Sequence, residues 1–116
     1  MQLSFVYVPV TDLKEALAFY RDTLGLEESW REGELAAGLK LADTDVELML
    51  DQVDDGSQAG PAFLLDDVRA FHQQRRGELR FRTEPEPIPG GWWAVLAGPS
   101  GDVVYLLDQS EAPGGG

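Results

Sequence analysis

Residues 8–27 read VPVTDLKEALAFYRDTLGLE. Val8–Val10 ends an uncharged run that begins at Leu3 and is rich in Val, Tyr and Phe, a composition suited to a strand buried on both faces. Thr11 and Asp12 break the run. Asp12 is placed to cap a helix with Glu15 as its capping-box partner, and Leu13, Leu17, Tyr20 and Leu24 share one stripe at helical spacing. Gly25 then supplies a stop.

Beyond Gly25 the period changes from helical to extended. Strands are expected over 26–31, 35–42 and 45–51, divided by Glu32-Gly33-Glu34 and Asp43-Thr44. The polar segment VDDGSQAG, residues 53–60, reads as a linker. A second round follows. It has a short strand over 61–65, a helix capped by Asp66-Asp67 that carries Val68, Phe71 and His72 on one face, and strands over 79–83, 91–97 and 102–108. EPEPIPGG, residues 84–91, reads as a loop enforced by its prolines and glycines, and GPSGD, residues 98–102, as a tight turn. The expectation is an α+β protein of one domain over residues 1–110, with module one at about 1–52, module two at about 60–108, and a disordered tail over 111–116.

The bulk numbers bound the function. A chain of 116 residues supports one compact domain, and 9 Lys plus Arg against 21 Asp plus Glu give a net charge of −12. Such a charge repels phosphate backbones and anionic membranes, so neither nucleic acid nor membrane is expected as a partner. The absence of cysteine removes thiolate metal sites and a Cys nucleophile. No basic leader followed by an apolar stretch opens the chain, and a cytoplasmic protein is the default.

The stretch 8–27, with its V-x-DL step into a helix carrying FY and ending in LGL, resembles the opening of the glyoxalase, bleomycin-resistance and dioxygenase proteins of the vicinal-oxygen-chelate superfamily. GPSGDVVYLLDQ (98–109) looks like that family's closing hairpin and last strand, and VELMLDQ (46–52) like its fourth strand. The resemblance implies two βαβββ modules forming a curved, open-barrel-like mixed sheet with a cavity, commonly completed by a second subunit, so a homodimer is expected. Metal-dependent members place ligands at four inward strand positions. Carried over by the motifs, these fall at Phe5, at Glu47, near Gly60 or Pro61, and at Tyr105. Only Glu47 can coordinate, and one carboxylate does not make a zinc or iron site, so no metal and no cofactor are expected. His72, the single histidine, falls on a helix and reads as a packing residue.

Strand alternation then selects the cavity side. Phe5 brings Leu3 and Tyr7; Glu47 brings Asp45, Met49 and Asp51; Tyr105 brings Val103 and Leu107. The opposite parity, with Val6, Val8 and Val10, Val46, Leu48 and Leu50, and Val104 and Leu106, is aliphatic and suited to packing under helices. Trp30, Trp92 and Trp93 are candidate stacking residues, and adjacency lets only one of Trp92 and Trp93 reach the cavity. Aromatic walls with carboxylates suit a small aromatic or cationic ligand, bound by Phe5, Tyr7, Asp45, Glu47, Met49, Trp92, Trp93 and Tyr105. The first reading is therefore a metal-free binding protein that sequesters such a compound, which leans against an enzyme. The alternative is a glyoxalase- or dioxygenase-like lyase or isomerase. In it Glu47 is the general base or sole family-position metal ligand, and Tyr105 or Tyr7 is the proton donor.

Overall fold

The computed structural model describes residues 1–111, with chain order β1 (Gln2–Val10), α1 (Leu13–Leu17), a π-helical stretch (Ala18–Thr23), β2 (Glu27–Glu32), β3 (Ala36–Lys40), β4 (Glu47–Gln52), β5 (Gly60–Leu64), α2 (Val68–Arg75), β6 (Phe81–Ile88), β7 (Gly91–Ala97) and β8 (Val103–Leu107). Strand, helix and three strands thus occur twice. The chain divides into two compact units, Ser4–Gly60 and the residues from Pro61 onward together with Met1–Leu3.

In the Ser4–Gly60 unit the strand order is β2-β3-β4-β1, with β1 parallel to β4 and the other pairs antiparallel. Asp12 caps α1 by accepting from the Glu15 N–H at 3.1 Å. Leu13, Leu17, Ala37, Leu39 and Leu50 form the buried core of this unit, with Val8, Val10, Tyr20, Leu26 and Leu48 packed around them. The even-parity aliphatic positions therefore lie under the helix. The expected stripe breaks at its end, however, because the wider π-turns over Ala18–Thr23 rotate the following residues. Leu24 is left 55% exposed, while Leu26 packs on the core.

In the second unit the order is β5-β8-β7-β6, with β5 parallel to β8. Asp67 caps α2 through the Ala70 N–H at 3.0 Å. Val68, Ala94 and Leu106 are fully buried against Phe63, Phe71, Phe81 and Trp92. His72 meets the edge of the Phe81 ring, with centroids 4.7 Å apart.

Three expectations are corrected. The strands run in open, linear order and β2 and β6 are each paired on one side only, so the α+β mixed sheet is not the expected barrel-like one: its ends do not close on each other. EPEPI is not a loop: β6 runs through it as the terminal strand, where Pro85 and Pro87 are tolerated because an edge can spare N–H donors, and register shifts mark the irregular stretch. Asp45 lies outside β4, in a bend set by left-handed Asp43 (φ 61°) and by the Thr44 hydroxyl accepting from the Val46 N–H at 3.1 Å. Of the expected tail, Glu111 donates its N–H to the Gly90 carbonyl at 3.0 Å, and residues 112–116 lie outside the described residues.

Candidate functional site

Strand register decides what Glu47 meets. In the parallel β1/β4 pair Glu47 is opposite Phe5, Met49 opposite Tyr7, and Asp51 opposite Pro9. Across the antiparallel β3/β4 pair the same residues face Lys40, Gly38 and Ala36. Directly paired residues share a face, so Phe5, Tyr7, Glu47, Met49 and Asp51 form one surface, turned away from the α1 core. The structure thus brings together four of the expected residues, Phe5, Tyr7, Glu47 and Met49. Asp45 stays exposed in its bend.

Both carboxylates of this face that lie on β4 are held by neutral donors. The Trp30 indole N–H donates to Glu47 Oε1 at 3.1 Å, and the Tyr7 hydroxyl donates to Asp51 Oδ2 at 2.5 Å. Met49 lies between them in sequence, and Lys40 is the cation directly opposite Glu47. A half-buried carboxylate beside Phe5, Trp30 and Met49 is suited to accepting a proton from a bound organic molecule.

On the helix side of the same unit, Glu28 accepts from Arg31 at 2.5 Å and from Arg21 at 2.9 Å. The Arg31 hydrogen bond, with Arg21 adding to it, holds the Glu28 carboxyl below its ordinary range against the opposing effect of desolvation. Arg21 and Arg31 also border a cleft of about 320 Å³ that includes Lys14, Glu34 and Gln52.

In the second unit Tyr105 is paired with Ala62 on one side and Val95 on the other, and its ring stacks on Trp93 with centroids 5.1 Å apart. Trp92 takes the opposite face. It packs on the α2 core, and the Arg69 guanidinium lies 4.3 Å from its ring centroid. The two adjacent tryptophans are thereby told apart: Trp93 shares a face with Tyr105 and Trp92 does not. A cleft of about 740 Å³ in this unit is bordered by Gln2, Leu64, Asp67, Phe71, Gln74 and Gln109. Although it is the larger of the two clefts, its Asp67 carboxylate is committed to capping α2 and it holds none of the ligand positions that the resemblance implies, which leaves the Glu47 face as the candidate site.

Sequence reasoning missed two roles. Trp30 is read from the sequence as a candidate stacking residue, and the hydrogen bond from its N–H to Glu47 is not foreseen there. Asp108 was read only as the end of a strand, yet it is a buried hub that accepts from the N–H groups of Val68 (2.7 Å), Trp92 (2.9 Å) and Ser110 (3.2 Å) and from the Ser110 hydroxyl (2.9 Å).

No group of three or more His, Cys, Asp or Glu gathers among the described residues, so the side chains present do not make the three-ligand set of a metal centre. No helix among the described residues is long and apolar enough to cross a membrane.

Solved structures share this fold. A NAD-dependent benzaldehyde dehydrogenase from Legionella pneumophila aligns with a TM-score of 0.73 at 15% identity, over 90% of this chain and 96% of that one. A methylmalonyl-CoA epimerase from Mycobacterium tuberculosis gives 0.60 at 20% identity, over 92% and 87%. The Mn(II)-bound glyoxalase from Novosphingobium aromaticivorans gives 0.60 at 22% identity, over 94% of this chain and 39% of that one. No curated protein matches the chain. Proteins named as enzymes hold the fold, so the expectation that leans against an enzyme is corrected, and the Mn(II)-bound glyoxalase likewise counts against the expectation that the chain is metal-free. The model of the Glyoxalase/Bleomycin resistance protein/Dioxygenase superfamily matches residues 2–112, and the chain belongs to that superfamily.

Proposed function

We propose that the protein is a lyase or isomerase that removes a proton from carbon next to a carbonyl, with Glu47 as the general base. The observation that carries this reading is the placement of Glu47. It sits half-buried on the face turned away from the α1 core, between Phe5 and Lys40, and accepts from the Trp30 indole N–H; the family resemblance implies a ligand position there. Glu47 takes the proton and the C–H electron pair moves onto the carbonyl oxygen, giving an enolate. Return of a proton to carbon completes an isomerisation, and loss of a leaving group completes an elimination. Tyr7, on the same face and hydrogen-bonded to Asp51, is the proton donor of this reading. Tyr105, the other candidate donor, stacks on Trp93 in the second unit.

Phe5, Tyr7 and Met49 with the carboxylates Glu47 and Asp51 favour a small aromatic or cationic carbonyl compound over a polyanion. The test is solvent deuterium incorporation in D2O, followed by proton NMR. The panel holds neutral and cationic aryl ketones with acidic α-hydrogens and, for the likeness to an epimerase, methylmalonyl-CoA, each with added Mn(II) and with chelator. Enzyme-dependent exchange that Glu47→Gln lowers at least about a hundredfold supports the reading. Absence of exchange in every arm, or equal exchange by Glu47→Gln, overturns it.

A further inference from the structure

Three local features of the Ser4–Gly60 unit act on one hydrogen bond. The first is a register shift in the β2/β3 pair between Glu28 and Trp30. Glu28 is opposite Leu39, so an unbroken antiparallel register would set Ser29 opposite Gly38 and Trp30 opposite Ala37. Ala37 and Leu39 belong to the core under α1, and an indole at that position would be forced into it. The bulge at Ser29 instead pairs Trp30 with Gly38 and turns the indole onto the Glu47 face.

The second feature is Gly38 itself. Its φ is not in the left-handed region, so no turn demands a glycine, but a Cβ there would overlap Nε1, Cδ1 and Cε2 of Trp30. The nitrogen-bearing side of the indole occupies the space beside the β3 backbone that a side chain would fill. The third feature is the outcome: Nε1 reaches Glu47 Oε1 across β3 at 3.1 Å. Trp30 remains 38% exposed, so hydrophobic burial alone is a weak reason for this arrangement.

We infer that Trp30 is the positioning residue of Glu47, aimed by the Ser29 bulge and seated on Gly38. The inference rests on the proposed role of Glu47 as base. Its N–H fixes one carboxylate oxygen and leaves the other, Oε2, to face the reacting carbon. This differs from a stacking role, in which the indole face touches the substrate and the N–H is incidental.

The test uses the full chain, uniformly labelled with 15N, whose three tryptophans give three indole N–H resonances; Trp30→Phe identifies its own by loss. Glu47→Gln is expected to displace the Trp30 resonance while those of Trp92 and Trp93 stay in place. Gly38→Ala is expected to displace it as well, because the added methyl lifts the indole from its seat. A Trp30 resonance indifferent to Glu47→Gln overturns the inference whatever the activity. In the deuterium-exchange assay Trp30→Phe, which keeps an aromatic ring and removes the donor, is expected to lower kcat about tenfold or more at a KM within about twofold, as for loss of one hydrogen bond to a charged group. A raised KM at unchanged kcat assigns the indole to substrate stacking and also overturns it. Should the wild type exchange nothing, the function reading fails, and the resonance experiment still decides the inference. Gly38→Ala is compared only if its thermal transition stays cooperative, and Trp30→Phe carries the test otherwise.

Discussion

Replacing Asp108 with alanine removes the acceptor that ties three elements of the second unit together. Oδ2 takes the Val68 N–H at the start of α2, and Oδ1 takes the Trp92 N–H at the start of β7 together with the N–H and hydroxyl of Ser110. With the residue 1% exposed, water does not replace these bonds freely. Three backbone donors left without an acceptor, partly relieved by local opening, cost about 3–5 kcal/mol. Asp108→Asn keeps one oxygen but presents an amide N–H₂ to a backbone donor, so a loss of about 2 kcal/mol is expected. At roughly 4 °C per kcal/mol for a domain of this size, the alanine variant melts about 12–20 °C below the wild type. Burial by itself would raise the Asp108 pKa, but the hydrogen bonds from Val68, Ser110 and Trp92 outweigh it and hold the carboxyl below its ordinary range. A folded pKa below the unfolded value of about 3.9 means that the stabilisation is full above that pH and fades as pH falls through the folded pKa. The advantage of wild type over Asp108→Asn should therefore shrink below about pH 4. Urea unfolding at pH 7 and at lower pH, read by circular dichroism, measures both effects. A loss under about 1 kcal/mol for Asp108→Ala at unchanged m value refutes the reasoning.

Two further outcomes are expected. Gly91→Ala should destabilise by more than an ordinary strand substitution, about 2 kcal/mol or more, because its Cβ would overlap the Asp108 backbone carbonyl, which cannot rotate aside; a melting temperature equal to wild type counts against this. The chain is further proposed to form a homodimer, supported by the exposed Phe19, Leu24 and Leu35 of the Ser4–Gly60 unit, and sedimentation showing monomer alone at high micromolar concentration would reject it.

How far residues announce themselves depends on whether their signal is local. The caps at Asp12 and Asp67 were legible because each accepts from an N–H three residues ahead. The two strand faces were legible because alternation needs only the strand itself: Val8 and Leu48 pack on the α1 core, and Phe5, Tyr7, Glu47 and Met49 share the other face. The β6 strand was misread because prolines break strands that are paired on both sides, and edge position is a fact of topology. The missing closure of the sheet is likewise a matter of strand order, on which alternation is silent.

Gly38 and Gly91 show what a non-local signal looks like. Gly38 sits inside β3 and Gly91 opens β7, and in a strand a glycine read alone signifies only weakness. Beside each is a group that uses the missing side chain: the Trp30 indole over Gly38, and the Asp108 carbonyl and carboxylate against Gly91. The partner of Gly38 is eight residues earlier and that of Gly91 seventeen later, and in Trp30 a bulge has also reversed the face that alternation assigns. Both glycines therefore serve polar groups, one that orients the carboxylate on the open face and one that pins a helix start to two strands. A search for further site residues in chains of this fold would accordingly begin with strand glycines of ordinary φ, asking which aromatic or carboxylate occupies the space that their Cβ would take.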